Sequence, residues 1–305
     1  MRLYWPKDEP MECKRTAPPL ERAGCKPHQR HVSVFARDDG THYPALKHRF
    51  LLYLSLLLII LMGTVAQSAA QGCPTSADDI DTDRPDVTNS PLTVPQGSFQ
   101  VESGVTWTTE HGSHVLDATE TLLRLGFANC SELAISVPTY FFAVNGPAIS
   151  GFNDVVLSFK RQLPALYESD LAAFAGLEFP SGNHDLSNRG YDPYLQGSWS
   201  RDLPGDWAIA GMFTIFWFTS QSSENPTFEP TFEVTRNLFP SVDSFVEYVG
   251  DYPAHSRPTQ VLDAGATWLI ARRQQLDVHF GFGLNSSSPD HFFGVGYSFR
   301  LDGLF

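Results

Sequence analysis

The chain has 305 residues, 42% of them hydrophobic and only 18% charged, with 23 glycines, 23 phenylalanines and a formal charge of −13. A charged fraction below the usual quarter of soluble domains, with a mean hydropathy of −0.18, excludes a polytopic helical membrane protein. It leaves room for strands that alternate polar and apolar residues, while the acidic balance argues against nucleic acid, which needs a basic footprint.

Residues 1–46 are rich in Pro, Lys, Arg and His and have no periodicity. Two readings stand: a start codon assigned too early, with the true start close to Leu46, and a genuine extended leader. Residues 47–70 predict a cleavable signal peptide. Lys47, His48 and Arg49 precede an apolar run over 50–65, and small residues come after it. Ser68 and Ala70 fit the −3 and −1 positions, so cleavage is expected after Ala70. The alternative is an uncleaved anchor, for which the apolar core is short against a span of about 20 residues. Cleavage removes 10 of the 21 basic and 6 of the 34 acidic residues, leaving 11 and 28, a net charge of −17.

Residues 71–96 are polar and Pro-rich, unsuited to a central strand. With Asp83, Arg84 and Asp86 at its centre, this segment is expected to plug the periplasmic mouth of a barrel built from residues 97–305, Arg84 pairing with Glu102 or Glu120. The alternative is a disordered tail.

Residues 97–305 carry a period of two. The last run, 291–301, sets Phe293, Val295, Tyr297, Phe299 and Leu301 on one face and Phe292, Gly294, Gly296, Ser298 and Arg300 on the other. About twelve such runs are predicted, at 98–109, 115–127, 132–143, 151–163, 169–179, 190–201, 206–218, 227–238, 242–250, 259–271, 275–285 and 291–301. The fold class is therefore all-β: a transmembrane antiparallel barrel of about twelve strands, an even number as closure requires. Its even-numbered connections are short, such as ANCS at 128–131 and LPALYES at 163–169, and are expected in the periplasm. The odd-numbered ones, from EHGSH at 110–114 onward, are mostly longer and are expected outside. Arginines gather near the short turns and carboxylates near the long loops.

The inward faces supply lumen-lining and selectivity candidates: Glu102, Glu120, Arg124, Asp154, Lys160, Glu178, Glu233, Glu247, Asp263, Asp277, His279 and Arg300. Such charges either select solutes or pair with one another as a structural network. Cys73 and Cys130 both fall at the periplasmic end, where one disulfide is permitted. Free thiols and lipidation at Cys73 are the alternatives. The cysteines have no metal-type spacing, and no nucleophile, phosphate-loop or metal motif is present.

At 81–107 the sequence reads DTDRPDVTNSPLTVPQGSFQVESGVTW, and at 119–138 TETLLRLGFANCSELAISVP. These stretches, with GLEFPSG at 176–182, FVEY at 245–248 and DVHFGFGLN at 277–285, resemble the family of the MetA pathway of phenol degradation, related to functional-amyloid secretion channels. The resemblance implies a transporter in the outer membrane of a Gram-negative cell, without catalysis or cofactor. Its implied partners are outer-membrane lipid, the barrel-assembly machinery during biogenesis and a small, hydrophobic or aromatic solute. A structural or secretion-associated barrel without solute transport is the second expectation, and an outer-membrane hydrolase the third.

Overall fold

Strands with one apolar and one polar face need two unlike surroundings, and closing into a barrel supplies them: lipid outside, a polar lumen inside. The computed structural model describes residues 73, 78–145, 149–220 and 226–305. The expected leader and signal peptide lie outside the described residues. No helix occurs among the described residues.

The strands are β1 (Ser98–Glu110), β2 (Ser113–Ala118), β3 (Thr121–Ala128), β4 (Ser131–Val137), β5 (Tyr140–Asn145), β6 (Gly151–Phe152), β7 (Val155–Leu166) and β8 (Ser169–Phe179). They continue with β9 (Asp192–Leu203), β10 (Trp207–Phe216), β11 (Thr227–Phe239), β12 (Val242–Pro253), β13 (Thr259–Ala271), β14 (Gln274–Gly283) and β15 (His291–Leu301). All pairings are antiparallel between neighbours. β1 closes the sheet against β15 from Phe99 opposite Leu301 to Thr109 opposite His291, so no edge is left open.

Fifteen segments make twelve barrel positions, because three staves are each broken in two. β2 and β3 share one stave, β4 and β5 the next, β6 and β7 the third. β5 pairs with β2 and β4 with β3 in one continuous register (Ala118 opposite Tyr140, Thr121 opposite Val137), whereas against β1 the register slips by one residue across the first break (Val105 opposite Ala118, Glu102 opposite Leu122). Pro138 sits in the middle break and has no N–H to give to a ladder. The uninterrupted runs expected over 115–127, 132–143 and 151–163 are corrected accordingly.

Two connections also differ from expectation. The LPALYES stretch is a two-residue turn: Tyr167 and Glu168 take φ of 49° and 60°, and the strands run up to Leu166 and on from Ser169. Its twist matches that of the flanking strands. EHGSH at the long-loop end is equally tight, turning on His111 and Gly112 at φ 46° and 82°. The long connections at that end are 180–191 and 217–226.

Burial sorts the faces as the alternation demands. Leu276, Val278, Phe280 and Phe282 face outward, while Asp277 and His279 between them are buried inside. Phe292 is an exception on the last stave. It points inward and packs with Val87, Met212, Val249 and Val261 in a small apolar cluster inside the lumen.

Candidate functional site: a plugged lumen and its cavity

Residues 78–96 fold inside the barrel. The segment enters at the short-turn end, where the Ile80 N–H donates to the Arg272 carbonyl at 2.8 Å and Arg300 Nη1 donates to the Asp79 carbonyl at 3.0 Å. It crosses to β12, where Glu247 accepts the N–H groups of Val87 and Thr88 at 2.9 and 2.7 Å. It returns past Leu92 and Val94 to meet β1. The structure also joins Cys73 to Cys130 in a disulfide, with Cα atoms 5.1 Å apart, tying the start of the segment to the first short turn.

A polar segment in a narrow lumen must satisfy its backbone there, and the inward charges do this. Arg124, fully buried, grips Glu132 through Nε and Nη2 at 2.9 and 3.0 Å and Glu102 through Nη1 at 2.8 Å. Lys160 donates to both oxygens of Asp83, at 3.1 and 3.2 Å, and to the Leu92 carbonyl. Glu102 accepts the Asp83 N–H and Glu132 the Val94 N–H, at 2.9 and 2.7 Å. Burial works against the Asp83 carboxylate, but Arg124 and Lys160 outweigh it and hold its pKa below the ordinary range.

Arg84 is the keystone of the plug's upper part. It is 3% exposed and meets Glu120 Oε2 at 2.7 Å and Asp277 Oδ1 at 3.3 Å. Its partner is Glu120 and not Glu102, which Arg124 and the Asp83 N–H occupy. The guanidinium lies flat against the wall because Gly104 and Gly296, opposite one another on β1 and β15, have no Cβ to hold it off.

The remaining candidates take separate places. Asp263 Oδ2 lies 2.9 Å from His279 Nδ1. Asp154 accepts the N–H groups of Ser181, Gly182 and Asn188 at 2.7–3.0 Å, pinning the 180–188 loop, and Glu178 accepts from the Asn188 side chain. Arg300 is spent at the short-turn end on Asp302 and on backbone carbonyls. Most of the charges expected to line an open pore thus hold the plug or a loop.

Above the plug a cavity of about 200 Å³ remains, floored by Asp83, Arg84 and Asn89. Its lining includes the apolar Phe141, Phe174, Tyr194, Met212 and Phe216 and the carboxylates Glu120, Glu178 and Glu229. Tyr194 lies over Gly176, where a Cβ would overlap its ring. None of these apolar residues was among the expected site residues, nor was Glu132. The signal was available for Glu132, since Glu132, Ala134 and Ser136 alternate with Leu133, Ile135 and Val137. The same alternation places Phe174 on the face of Glu178, so its direction too was available.

A closed twelve-stave antiparallel barrel, with an apolar outer face and a polar lumen, defines the class: an outer-membrane β-barrel of the porin type. The NanC porin matches with a TM-score of 0.50 at 10% identity, over 67% of this chain and all of that one. The KdgM porin gives 0.47 at 12% identity over 66% and 98%, and the "CymD monoaromatic hydrocarbon channel" 0.43 at 10% over 70% and 90%. No curated protein matches. Residues 82–301 match the family model described as "Putative MetA-pathway of phenol degradation", and the chain belongs to that family.

Proposed function

We propose that this barrel is an outer-membrane channel for small, apolar or aromatic solutes. The observation that carries the reading is the lumenal cavity. An apolar cavity of roughly 150 Å³ suffices for one benzene, and the cavity above the plug, about 200 Å³ with four aromatic rings and a methionine in its lining, suits a single-ring solute. The carboxylates set among them would receive a hydroxyl or other donor on such a ring. Passage requires the plug to shift, since residues 78–96 cross the lumen below the cavity. The reading places the signal peptide at 47–70 and delivery through the barrel-assembly machinery. It assigns no catalysis, and hydrolysis of lipid or peptide by the refolded protein would contradict it.

A second reading, a structural barrel without transport, draws on the density of the plug network. Planar-bilayer recording of the refolded protein separates the two. Discrete conductance steps, enlarged when residues 78–90 are deleted, support the channel. A silent bilayer with both proteins supports the structural barrel.

A further inference from the structure

Three carboxylates converge where the plug meets the wall. Glu233 on β11 and Glu247 on β12 are direct cross-strand partners and both are buried on the lumen side. Asp86 of the plug comes against them. One oxygen from each of Asp86, Glu233 and Glu247 lies within 4.8 Å of the others. Glu247 is held in place by the plug itself, accepting the N–H groups of Val87 and Thr88 and, at 2.5 Å, the Thr88 hydroxyl.

Glu233 is different. It is 7% exposed, its Oε1 accepts from the Thr235 hydroxyl, and its Oε2 is buried with no hydrogen-bond donor. The cations of the lumen are committed to other carboxylates. The guanidinium of Arg84 is turned to Glu120 and Asp277, and Arg124 and Lys160 serve Asp83, Glu102 and Glu132. The groups around Asp83 and around Glu120 each hold an Arg or Lys, and Asp263 has His279. Among the described residues, no Arg, Lys or His pairs with Asp86, Glu233 or Glu247.

We propose that Asp86, Glu233 and Glu247 bind one calcium ion, which clasps the plug to the barrel wall. Carboxylates facing one another in a buried site are relieved by a cation between them or by taking up a proton. Calcium–oxygen distances of about 2.3–2.6 Å set ligands on opposite sides of the ion about 4.6–5.2 Å apart, so oxygens that all lie within 4.8 Å of one another can reach a single ion. Three carboxylates from two rigid strands and one bent segment, with water completing the shell, suit the irregular coordination of calcium. Magnesium, at about 2.0–2.1 Å and strictly octahedral, suits it less. Ligands drawn from 86, 233 and 247 have no sequence spacing by which to be recognised. The clasp does not depend on which solute the barrel carries.

The test is calorimetric titration of calcium chloride into the mature chain, refolded in detergent and stripped with chelator, at neutral pH. The expected result is saturable binding of one ion per barrel, weakened at least tenfold in both Glu233→Gln and Asp86→Asn, with Asp185→Asn in an outer loop unchanged. Heat-modifiable migration on gels verifies that each variant is folded, and Asp86→Asn lies outside the strands that form the barrel. In parallel, calcium should slow proteolysis of the plug in the wild type and not in Asp86→Asn. Absence of saturable binding, or binding of equal strength in the wild type and both site variants, would overturn the proposal.

Discussion

Replacing Arg84 by Met keeps most of the side chain's length and removes its charge. In the wild type the guanidinium is almost fully buried between Glu120 and Asp277. After the change both carboxylates face a lumen that offers them no new cation. Breaking a buried pair by removing one partner costs about 3–5 kcal/mol. If that cost falls on the docked plug, at about 1.4 kcal/mol per decade, the undocked population rises by roughly two to three and a half orders of magnitude. Two assays read this: the fraction of time a reconstituted channel spends in its larger conductance state, and the rate at which proteinase K cuts within 78–96. Adding Glu120→Gln should recover part of the loss, since it removes one stranded charge. The reasoning fails if folded Arg84→Met shows the wild-type open fraction and cutting rate.

The other expectations concern the same plug. Gly126→Ala would drive a Cβ into the carbonyl oxygens of Val94 and Pro95, so the return limb of the plug should loosen by about 1–3 kcal/mol, seen as faster proteolysis at unchanged barrel folding. Cys130→Ser opens the Cys73–Cys130 loop, with a sequence separation of 57. The loss should be about 4 kcal/mol by chain-closure entropy, and thermal melting should find the variant less stable than the oxidised wild type and equal to the reduced one. For Asp86 the folded pKa is raised, so the docked plug binds the proton more tightly than the free one and gains stability as pH falls from neutral. Asp83, with its lowered pKa, gives up its contribution only below about pH 4. In chelator, proteolysis of the plug should therefore be slower at pH 5.5 than at 7.5, and a faster rate at 5.5 would contradict the assignment. Finally, the acidic lumen and the net charge of −17 expected for the mature chain favour weak cation selectivity that vanishes near 1 M salt, where the Debye length is about 3 Å. An anion-selective reversal potential at low salt would refute this.

The barrel was legible because period two is a local property: each residue of β14 or β15 declares its face through its immediate neighbours. The same alternation marked Glu102, Arg124, Lys160 and Glu247 as inward. Their partners were not legible, since pairing Arg84 with Asp277 or Glu247 with Thr88 joins residues far apart in the chain, at heights set by strand tilt and by the path of the plug. The break at 138–139 was hidden because a single Pro138 within an otherwise regular run changes hydrogen bonding and not the hydrophobic pattern. The face of Phe174 was legible from its parity with Glu178, but its meeting with Phe141, Tyr194 and Phe216 in one cavity was not, since these rings come from separate strands.

The most direct test of the channel reading is block of ion current by an aromatic solute. Reconstituted mature protein with the plug intact, held at constant voltage, is exposed to increasing phenol and, separately, to a pentose of similar size. The account predicts saturable, reversible block by phenol that weakens severalfold in Tyr194→Ala and Phe216→Ala, with no block by the pentose. Equal effects of the two solutes, or block by phenol that survives both substitutions, would contradict it.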